Sequence, residues 1–401
     1  MKTKLIGTAL FVLTAAAVVL YPAVKTAATV TANPIDVLPK QLPLSTERPK
    51  IDVVFVLDTT GSMSGLIGAA KEKIWSIASS MASAQPAPII RMGLVGYRDR
   101  GDEYVTRVVD LSGDIDTMYA TLMQFTANGG GDGPESVNQA LYEAVNSMSW
   151  SQDDNAYKVI FLVGDAPPHM DYQDDVKYPQ SLAMAAKKGI LVNTIQCGNE
   201  TDTRQRWQEI ASISHGSYFN VDQAGSAVAI ATPFDADLAR LSAALDGTRL
   251  YYGTQEEKAK QLAKTDATHS LHALASPASL ARRAAFNASA SGATNAIGES
   301  ELVADVASGR VDIAKVEADK LPEPLQSLSV DERKKVVEEN ATKREDLQRQ
   351  IKALAAQRDE YAAKEIAAAG GAKDSLDVKI YDAVREQAGK KGMAYPEAPK
   401  Y

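Results

Sequence analysis

Acidic and hydroxyl side chains concentrate in three short segments of the sequence, each next to a predicted strand or helix. In the first, the apolar run Val53–Leu57 ends at an acid and continues as "DTTGS" over residues 58–62. The others are "NGGGDGPES" at 128–136 and "GDAPPH" at 164–169. Among these residues, Asp58, Thr60, Ser62 and Asp165 carry oxygens that could bind a metal ion. An acid followed by hydroxyls also suits a phosphorylated aspartate or an activated serine.

Two of these acids are predicted to meet at one edge of a sheet. Asp58 and Asp165 each end an apolar strand, and the carboxyl ends of parallel strands lie together. Carboxylates that share a crevice repel each other unless they are protonated or bind a cation. Oxygen ligands, including the hydroxyls of Thr60 and Ser62, suit a hard ion such as Mg²⁺. Asp, Ser, Thr and Gly also form turns and helix caps, but three such segments at one sheet edge favour a metal site.

The elements that would position these residues alternate between strands and helices up to about Leu245. Six segments have the composition of strands: "IDVVFVL", "IIRMGLVGY", "YVTRVVDL", "YKVIFLVGD", "ILVNTIQ" and "GSYFNV". The polar turn "RDRGDE" separates the second from the third, which predicts a hairpin. Amphipathic helices follow the other strands. The pattern predicts an α/β fold with a doubly wound, mostly parallel, six-stranded sheet, which binds ligands at the carboxyl ends of its strands.

The segment "DTTGSM" resembles the Asp-x-Ser/Thr-x-Ser signature of von Willebrand factor A (vWA) domains, and the resemblance extends over residues 50–245. It implies a Rossmann-like fold with a metal-ion-dependent adhesion site (MIDAS) that binds Mg²⁺ or Mn²⁺. It also implies that Asp58, Thr60 and Ser62 are metal ligands, with Asp58 acting partly through water.

The other two segments resemble loops in the vWA-like domains of the integrin β family. "GDGPES" resembles a loop whose Glu binds the metal, which implies Glu135 as a ligand and Asp132 as a neighbouring group or a ligand of an adjacent ion. "GDAPPH" resembles an Asp-Ala-x-x-His loop and implies Asp165 as a ligand, partly through water. His169 is expected to hydrogen-bond beside the ion rather than to bind it, because Mg²⁺ prefers oxygen. Together the motifs look closest to the A domain found in alpha-kinase-linked and many bacterial proteins, although no kinase signature is present.

The composition restricts the partners of the protein. Its 401 residues include 43 Lys and Arg and 51 Asp and Glu, giving a net charge of -8. A nucleic-acid partner is not expected, because the neutralisation of phosphates requires a basic face. Arg100-Gly101-Asp102 matches a cell-adhesion tripeptide, but its charged neighbours predict a solvated turn.

The N-terminus is predicted to direct export. Lys2 and Lys4 precede an apolar run, the layout of a secretory signal. Residues 1–32 are therefore predicted to be a cleaved signal peptide or a membrane anchor through residues 5–24. Residues 33–49 contain four prolines and are predicted to be a linker. The protein is expected in the periplasm, in the cell envelope or outside the cell.

The remainder of the chain is predicted to be helical. Residues 50–247 form the predicted vWA domain, and residues 248–328, rich in Ala and Ser, are predicted to be a loose, partly helical connector. Residues 329–401 are predicted to form a helical, coiled-coil-like region that begins with the capping box at Ser329. Its long helix has two alternative roles: pairing with a second copy or a partner, or packing within a small bundle.

These inferences predict a metal-dependent protein-binding or cell-adhesion module of an exported bacterial protein, without catalytic activity. A protein partner would donate a carboxylate to the Mg²⁺ or Mn²⁺ ion. One alternative is an envelope-assembly or chaperone-like scaffold that uses the helical region. Another is a Mg²⁺-dependent phosphotransferase with Asp58 as nucleophile and Lys187 or Lys188 as its lysine, because "DTTGS" resembles the Asp-x-Thr-Gly-Thr loop of haloacid dehalogenases and P-type pumps. Against this, Ser62 and Met63 run directly into a predicted helix, which leaves no room for the flap of that class.

Overall fold

The computed structural model of the protein describes residues 47–131, 133–225 and 230–399. The predicted signal or anchor, most of the predicted linker and Asp132 lie outside the described residues. Residues Arg48–Tyr401 form one compact unit, so the sheet and the C-terminal helices pack together. Among the described residues, no helix is long and apolar enough to cross a membrane.

Six strands form one sheet in the spatial order β3-β2-β1-β4-β5-β6. β2 and β3 are antiparallel, as predicted for the hairpin, and every other neighbouring pair is parallel. The predicted doubly wound, mostly parallel α/β fold is confirmed. The strands are β1 (Lys50–Asp58), β2 (Ile89–Tyr97), β3 (Thr106–Ser112), β4 (Tyr157–Gly164), β5 (Ile190–Cys197) and β6 (Tyr218–Val221).

Two layers of helices cover this sheet. Alternate residues of β1 face opposite layers: Phe55 and Leu57 belong to one core cluster, and Val54 and Val56 belong to the other. Because both faces are buried, β1 is a continuous apolar run. The first layer contains α1 (Ser64–Ala82), α2 (Ile115–Gln124) and the last helix of the chain; the second contains α3 (Val137–Asn146), α4 (Tyr178–Lys187) and α5 (Thr201–Ile213).

Residues 248–328, predicted to be a loose, partly helical connector, contain several helices that pack closely. This segment contains helices whose side chains are buried, among them Leu271 and Arg283. Its many alanines do not indicate disorder, because Ala281 and Ala284 are buried between helices and allow them to pack closely. The C-terminal helices are α6 (Asp235–Asp246), α7 (Gln255–Leu274), α8 (Pro277–Asn287), α9 (Ala293–Ile297), α10 (Leu302–Ala307), α11 (Glu323–Gln326), α12 (Val330–Ala368) and α13 (Leu376–Gly389).

The long helix α12 packs within its own chain. Leu347 and Ile351 are buried in a core cluster with residues of α6 and α8. This packing corresponds to the bundle alternative, because these positions are covered within the chain. Arg344 interrupts the apolar stripe because it is a buried ion-pair partner of Glu301, at 2.9 Å.

The last helix, α13, completes the first helix layer of the sheet. Its Leu376 and Ile380 are buried in the same core cluster as Phe55 of β1. The Gln387 side chain donates a hydrogen bond to Asn193 Oδ1 of β5, at 2.8 Å. The predicted division between a vWA domain ending at residue 247 and a separate C-terminal region therefore differs from the structure, in which the sheet packs against a helix from the end of the chain.

Candidate metal centre

Asp58 ends β1 with one of its carboxylate oxygens engaged and the other without a partner. Its Oδ1 accepts hydrogen bonds from the Thr60 backbone N–H at 2.9 Å and from Thr60 Oγ1 at 2.6 Å. Its Oδ2 is buried and has no hydrogen-bond partner among the described residues. Ser62 is exposed and places its Oγ 3.3 Å from Thr60 Oγ1. The first segment therefore presents two hydroxyls and one free carboxylate oxygen at the end of the strand.

Glu135 joins the second segment to the third. Its backbone N–H donates to the Pro167 carbonyl oxygen at 2.9 Å, and its carbonyl oxygen accepts from the His169 N–H at 3.0 Å. Its side chain is only 4% exposed, and its Oε2 has no hydrogen-bond partner among the described residues. Glu135 and Asp58 thus each bury an unsatisfied carboxylate oxygen, which is costly without a ligand.

Close backbone contacts bring the first two segments together. The Gly61 N–H donates to the Gly129 carbonyl oxygen at 3.1 Å. Gly130 has a φ of +79°, and a Cβ on it would lie 3.1 Å from Glu135 Oε1 and 3.2 Å from Thr60 Cβ. Glycine is required here both by the left-handed backbone and by this approach. The side chains of Glu135 and Thr60 therefore face the same small space.

The third segment lies beside the first because β4 pairs with β1. Leu57 is paired with Val163, so Gly164 lies next to Asp58, and a Cβ on Gly164 would lie 3.0 Å from Asp58 Cβ. Asp165 follows at once and is half-buried. The side-chain amide of Gln223, after β6, donates to Asp165 Oδ2.

The acids of the centre are held in an environment that favours their neutral form. Burial raises the pKa of Asp58 to about 7, and the hydrogen bonds that it accepts offset only part of this effect. Burial, and then the charge of Asp58, raises the pKa of Glu135 to about 9. The charges of Asp99, Asp102 and Asp165 act in the same direction. A cation at this position would relieve the same repulsion.

His169 is buried behind the centre and already has hydrogen-bonding partners. Its Nδ1 lies 2.8 Å from Asp171 Oδ1, and its Nε2 lies 3.3 Å from Asp99 Oδ2. The imidazole stacks on Tyr172, with ring centroids 4.0 Å apart. Asp99 also accepts a hydrogen bond from Ser136 Oγ at 2.9 Å. These contacts hold the second and third segments together.

The Arg100-Gly101-Asp102 tripeptide contacts the second segment through a hydrogen bond. Asp102 Oδ2 accepts a hydrogen bond from the Gly130 N–H at 3.0 Å. Arg100 forms ion pairs with Asp174 at 2.9 Å and with Asp175 at 2.6 Å. Both charged side chains of the tripeptide are engaged within the chain, which fits a structural turn.

Sequence reasoning missed Asp99, Asp102 and Gln223. Each lies outside the three acidic segments and reaches them only through the folded loops. The signal that could have located Asp102 is the run of three glycines at 129–131, which marks a close backbone approach. Nothing local in the sequence indicates Gln223.

The donor set fits an ion that is completed by hydroxyls and water. Among the described residues, no group of three or more His, Cys, Asp and Glu side chains is placed to hold a metal ion. The centre offers two buried carboxylates with unsatisfied oxygens, a third carboxylate and two hydroxyls. Because Mg²⁺ characteristically keeps several waters, it does not need a complete set of protein ligands.

The lysines required by the phosphotransferase alternative lie far from Asp58. Lys187 ends α4, just before the start of β5, which is the opposite edge of the sheet from the end of β1. Lys188 donates to the Val145 carbonyl oxygen at 2.7 Å, at the end of α3. The arrangement does not favour Asp58 as a phosphorylated nucleophile.

Comparison with known proteins gives one family match. Residues 52–233 match the family model described as "von Willebrand factor A domain". Two solved structures of proximal thread matrix protein 1 from the mussel byssus, one of them with a zinc-occupied MIDAS motif, are 15% and 16% identical to this chain. Each has a TM-score of 0.35, with 44% of this chain and 42% of that chain covered. This chain therefore spans less than half the length of those proteins. No curated protein matches it.

Proposed function

Because residues 52–233 are a von Willebrand factor A domain, we propose that this protein is a metal-dependent protein-binding module. A divalent ion at the carboxyl edge of the sheet would bind a carboxylate of a partner protein. The observation that carries the proposal is the pair of buried carboxylates, Asp58 and Glu135, each with an oxygen that has no partner among the described residues. A cation would satisfy both oxygens and remove their mutual repulsion.

The ion would be held by Asp58, Thr60, Ser62, Glu135 and Asp165, with water completing the set. All five donate oxygen, which favours Mg²⁺ or Mn²⁺ over metals that prefer nitrogen or sulfur. When bound, the ion supplies a positive charge with an open position for an outside carboxylate. The proposal includes no catalytic step. Asp132 stays a predicted neighbouring group.

Export belongs to the same proposal. Residues 1–32 carry the charge pattern of a secretory signal or of an anchor through residues 5–24. The domain would then meet its partner in the periplasm, in the cell envelope or outside the cell.

Calorimetric titration of the full chain with Mg²⁺ and with Mn²⁺ tests the metal centre. We expect binding by the wild type, none by the Asp58→Ala, Glu135→Ala double variant, and unchanged binding by Asp171→Asn. Asp171 is the matched control because it lies beside the centre but bonds to His169 instead. Equal binding by the wild type and the double variant would end the proposal.

The scaffold alternative draws on a different observation, the packing of the sheet and C-terminal helices into one unit. It predicts that a partner captured by the full chain stays bound in a chelator, whereas the metal-dependent module releases it. Truncation after residue 250 does not separate the two functions, because it removes α13, which is part of the core of the sheet.

A further inference from the structure

A cavity of about 300 Å³ lies between α1 of the vWA domain and the C-terminal helices α8 and α12. It shares no residue with the candidate metal centre. Its wall combines two arginines with hydroxyls and an apolar surface, and the residues that matter here are Ser76, Ser79, Arg282, Phe286, Ala356 and Arg358.

The two arginines are buried, and they differ in how their charge is balanced. Arg358 is 1% exposed, and its Nε donates to Asp235 Oδ1 at 2.8 Å. Arg282 is 3% exposed, and its Nη1 donates to the backbone carbonyl oxygen of Glu72 at 3.3 Å. Its Nε is buried with no hydrogen-bond partner among the described residues. A buried guanidinium whose donors are left unsatisfied costs free energy until an acceptor reaches it.

The charge environment of Arg282 is unfavourable for a cation. Burial, and then the charge of Arg358, lowers the pKa of Arg282 to about 10, although Asp377, Asp235 and Glu72 partly oppose this effect. Lys352 and Asp359 also line the cavity. Cations thus outnumber carboxylates on its wall, which favours an anionic occupant.

The rest of the wall suits an organic molecule rather than a bare ion. The Ser79 Oγ is buried with no partner among the described residues and adds a further hydrogen-bonding group. Phe286 and Ala355 are buried and provide an apolar surface. Ala356 and Lys352 are exposed and mark the opening towards solvent. The volume lies at the lower end of the range of small-molecule sites, about 300–1,000 Å³.

We propose that this cavity binds a small organic anion, whose carboxylate or phosphate head contacts Arg282 and Ser79 and whose apolar body packs against Phe286. Guanidinium groups recognise both heads through paired hydrogen bonds. The ligand would contact the vWA domain and two C-terminal helices at once. Its binding would therefore stabilise the packing of the helical region on α1.

Thermal unfolding and calorimetry of the full chain with four probes test this site. Octanoate and phenyl phosphate carry an anionic head and an apolar body, inorganic phosphate has the head alone, and octylammonium has the opposite charge. We expect the two organic anions to raise the melting temperature and octylammonium not to raise it. Inorganic phosphate should bind at least about tenfold more weakly than phenyl phosphate.

Two variants and a control locate the binding. Arg282→Met removes the charge and Ala356→Trp fills the exposed opening; each should weaken organic-anion binding at least about tenfold. Arg240→Met, at an arginine whose side chain is 69% exposed, should leave it unchanged. Because Ala356 is on the surface, its variant is informative even where Arg282→Met fails to fold. Absence of binding by either organic anion, equal binding of inorganic and phenyl phosphate, or full binding by Ala356→Trp would overturn the proposal.

Discussion

Replacing Glu135 by Gln should stabilise the metal-free protein and remove most of the stabilisation that bound metal gives. Glu135 is buried, and its pKa is raised from 4.5 to about 9. Above about pH 4.5 the unfolded chain loses this proton while the metal-free folded protein retains it, so stability falls as the pH rises towards 9. At about pH 7.5 this linkage costs the metal-free fold up to about 4 kcal/mol.

Glutamine has the same shape and carries no charge at any pH. We therefore expect Glu135→Gln to increase the free energy of unfolding in a chelator by about 1–3 kcal/mol, less than the upper bound because the amide must also find hydrogen bonds. Saturating Mg²⁺, at about a hundred times the dissociation constant, should stabilise the wild type by about 2.7 kcal/mol. The variant should gain little, because it lacks a charged ligand.

Urea unfolding at about pH 7.5, followed by tryptophan fluorescence and circular dichroism, measures both effects. Trp75 and Trp207 are buried and report on the two helix layers of the sheet. Glu338→Gln is the matched control, since Glu338 is exposed on α12. A variant that is less stable than the wild type in a chelator would show that the Glu135 carboxylate has a structural role, and the reasoning from its unsatisfied oxygen would be wrong.

Three further predictions concern the core and the metal. Asp116→Asn breaks a buried ion pair with Arg283, at 2.6 Å, and should lower the free energy of unfolding by about 3 kcal/mol. Burial alone would raise the pKa of Asp116, but the Arg283 charge and its neighbours hold it below its usual value. The contribution of this pair should therefore be present above about pH 4 and be lost below it, and equal acid sensitivity of the variant and the wild type would contradict this. Ile380→Ala should lower the free energy of unfolding by about 2–5 kcal/mol, in a single transition seen by both fluorescence and circular dichroism. Two separate transitions would show that α13 is not part of the sheet core. Mg²⁺ should bind more tightly as the pH rises from about 6 to about 9 and should release protons, because the buried carboxyls must ionise to bind it. Calorimetry in buffers of different ionisation enthalpy measures the released protons. Binding that does not depend on pH would count against these ligands.

The sheet and the position of the first acidic segment at its edge could be predicted from sequence because their signals are local. A strand buried on both faces is an unbroken apolar run, and β1 has this form up to Asp58. The change to hydroxyls and glycine after it marks the turn into α1. Because β1 pairs with β4, Asp165 lies at the same edge of the sheet.

The groups around the centre could not be predicted because they depend on contacts between distant loops. Asp102 reaches the second segment through a hydrogen bond to the Gly130 N–H, and Asp99 reaches it through Ser136. An isolated aspartate in a polar turn resembles any solvated residue in sequence. Only the folded backbone distinguishes these acids from their neighbours.

The close packing of residues 248–328 could not be predicted from their composition. Composition rich in Ala and Ser indicates disorder when there is too little apolar area to bury, but the same small residues allow helices to approach closely. Ala281 and Ala284 pack against α6, and the charge of Arg283 between them is compensated by Asp116 and Asp246. In the sequence, the residues of such a buried ion pair only interrupt an apolar pattern, so they look like exposed polar residues.

Helix α1 connects the two candidate sites with the end of the chain. It begins at Ser64, two residues after Ser62, and Ser76 and Ser79 lie about 18–23 Å further along it, at a rise of 1.5 Å per residue. Between them, Lys73 forms a buried ion pair with Asp377 of α13, at 2.9 Å. The helix that orients the metal segment is therefore fixed by residues from the last part of the sequence. Because α13 also fills the core beneath β1, the vWA domain depends on the helical region for its own packing. The candidate metal centre and the C-terminal helices consequently belong to one compact unit, although the family match covers only the first of them.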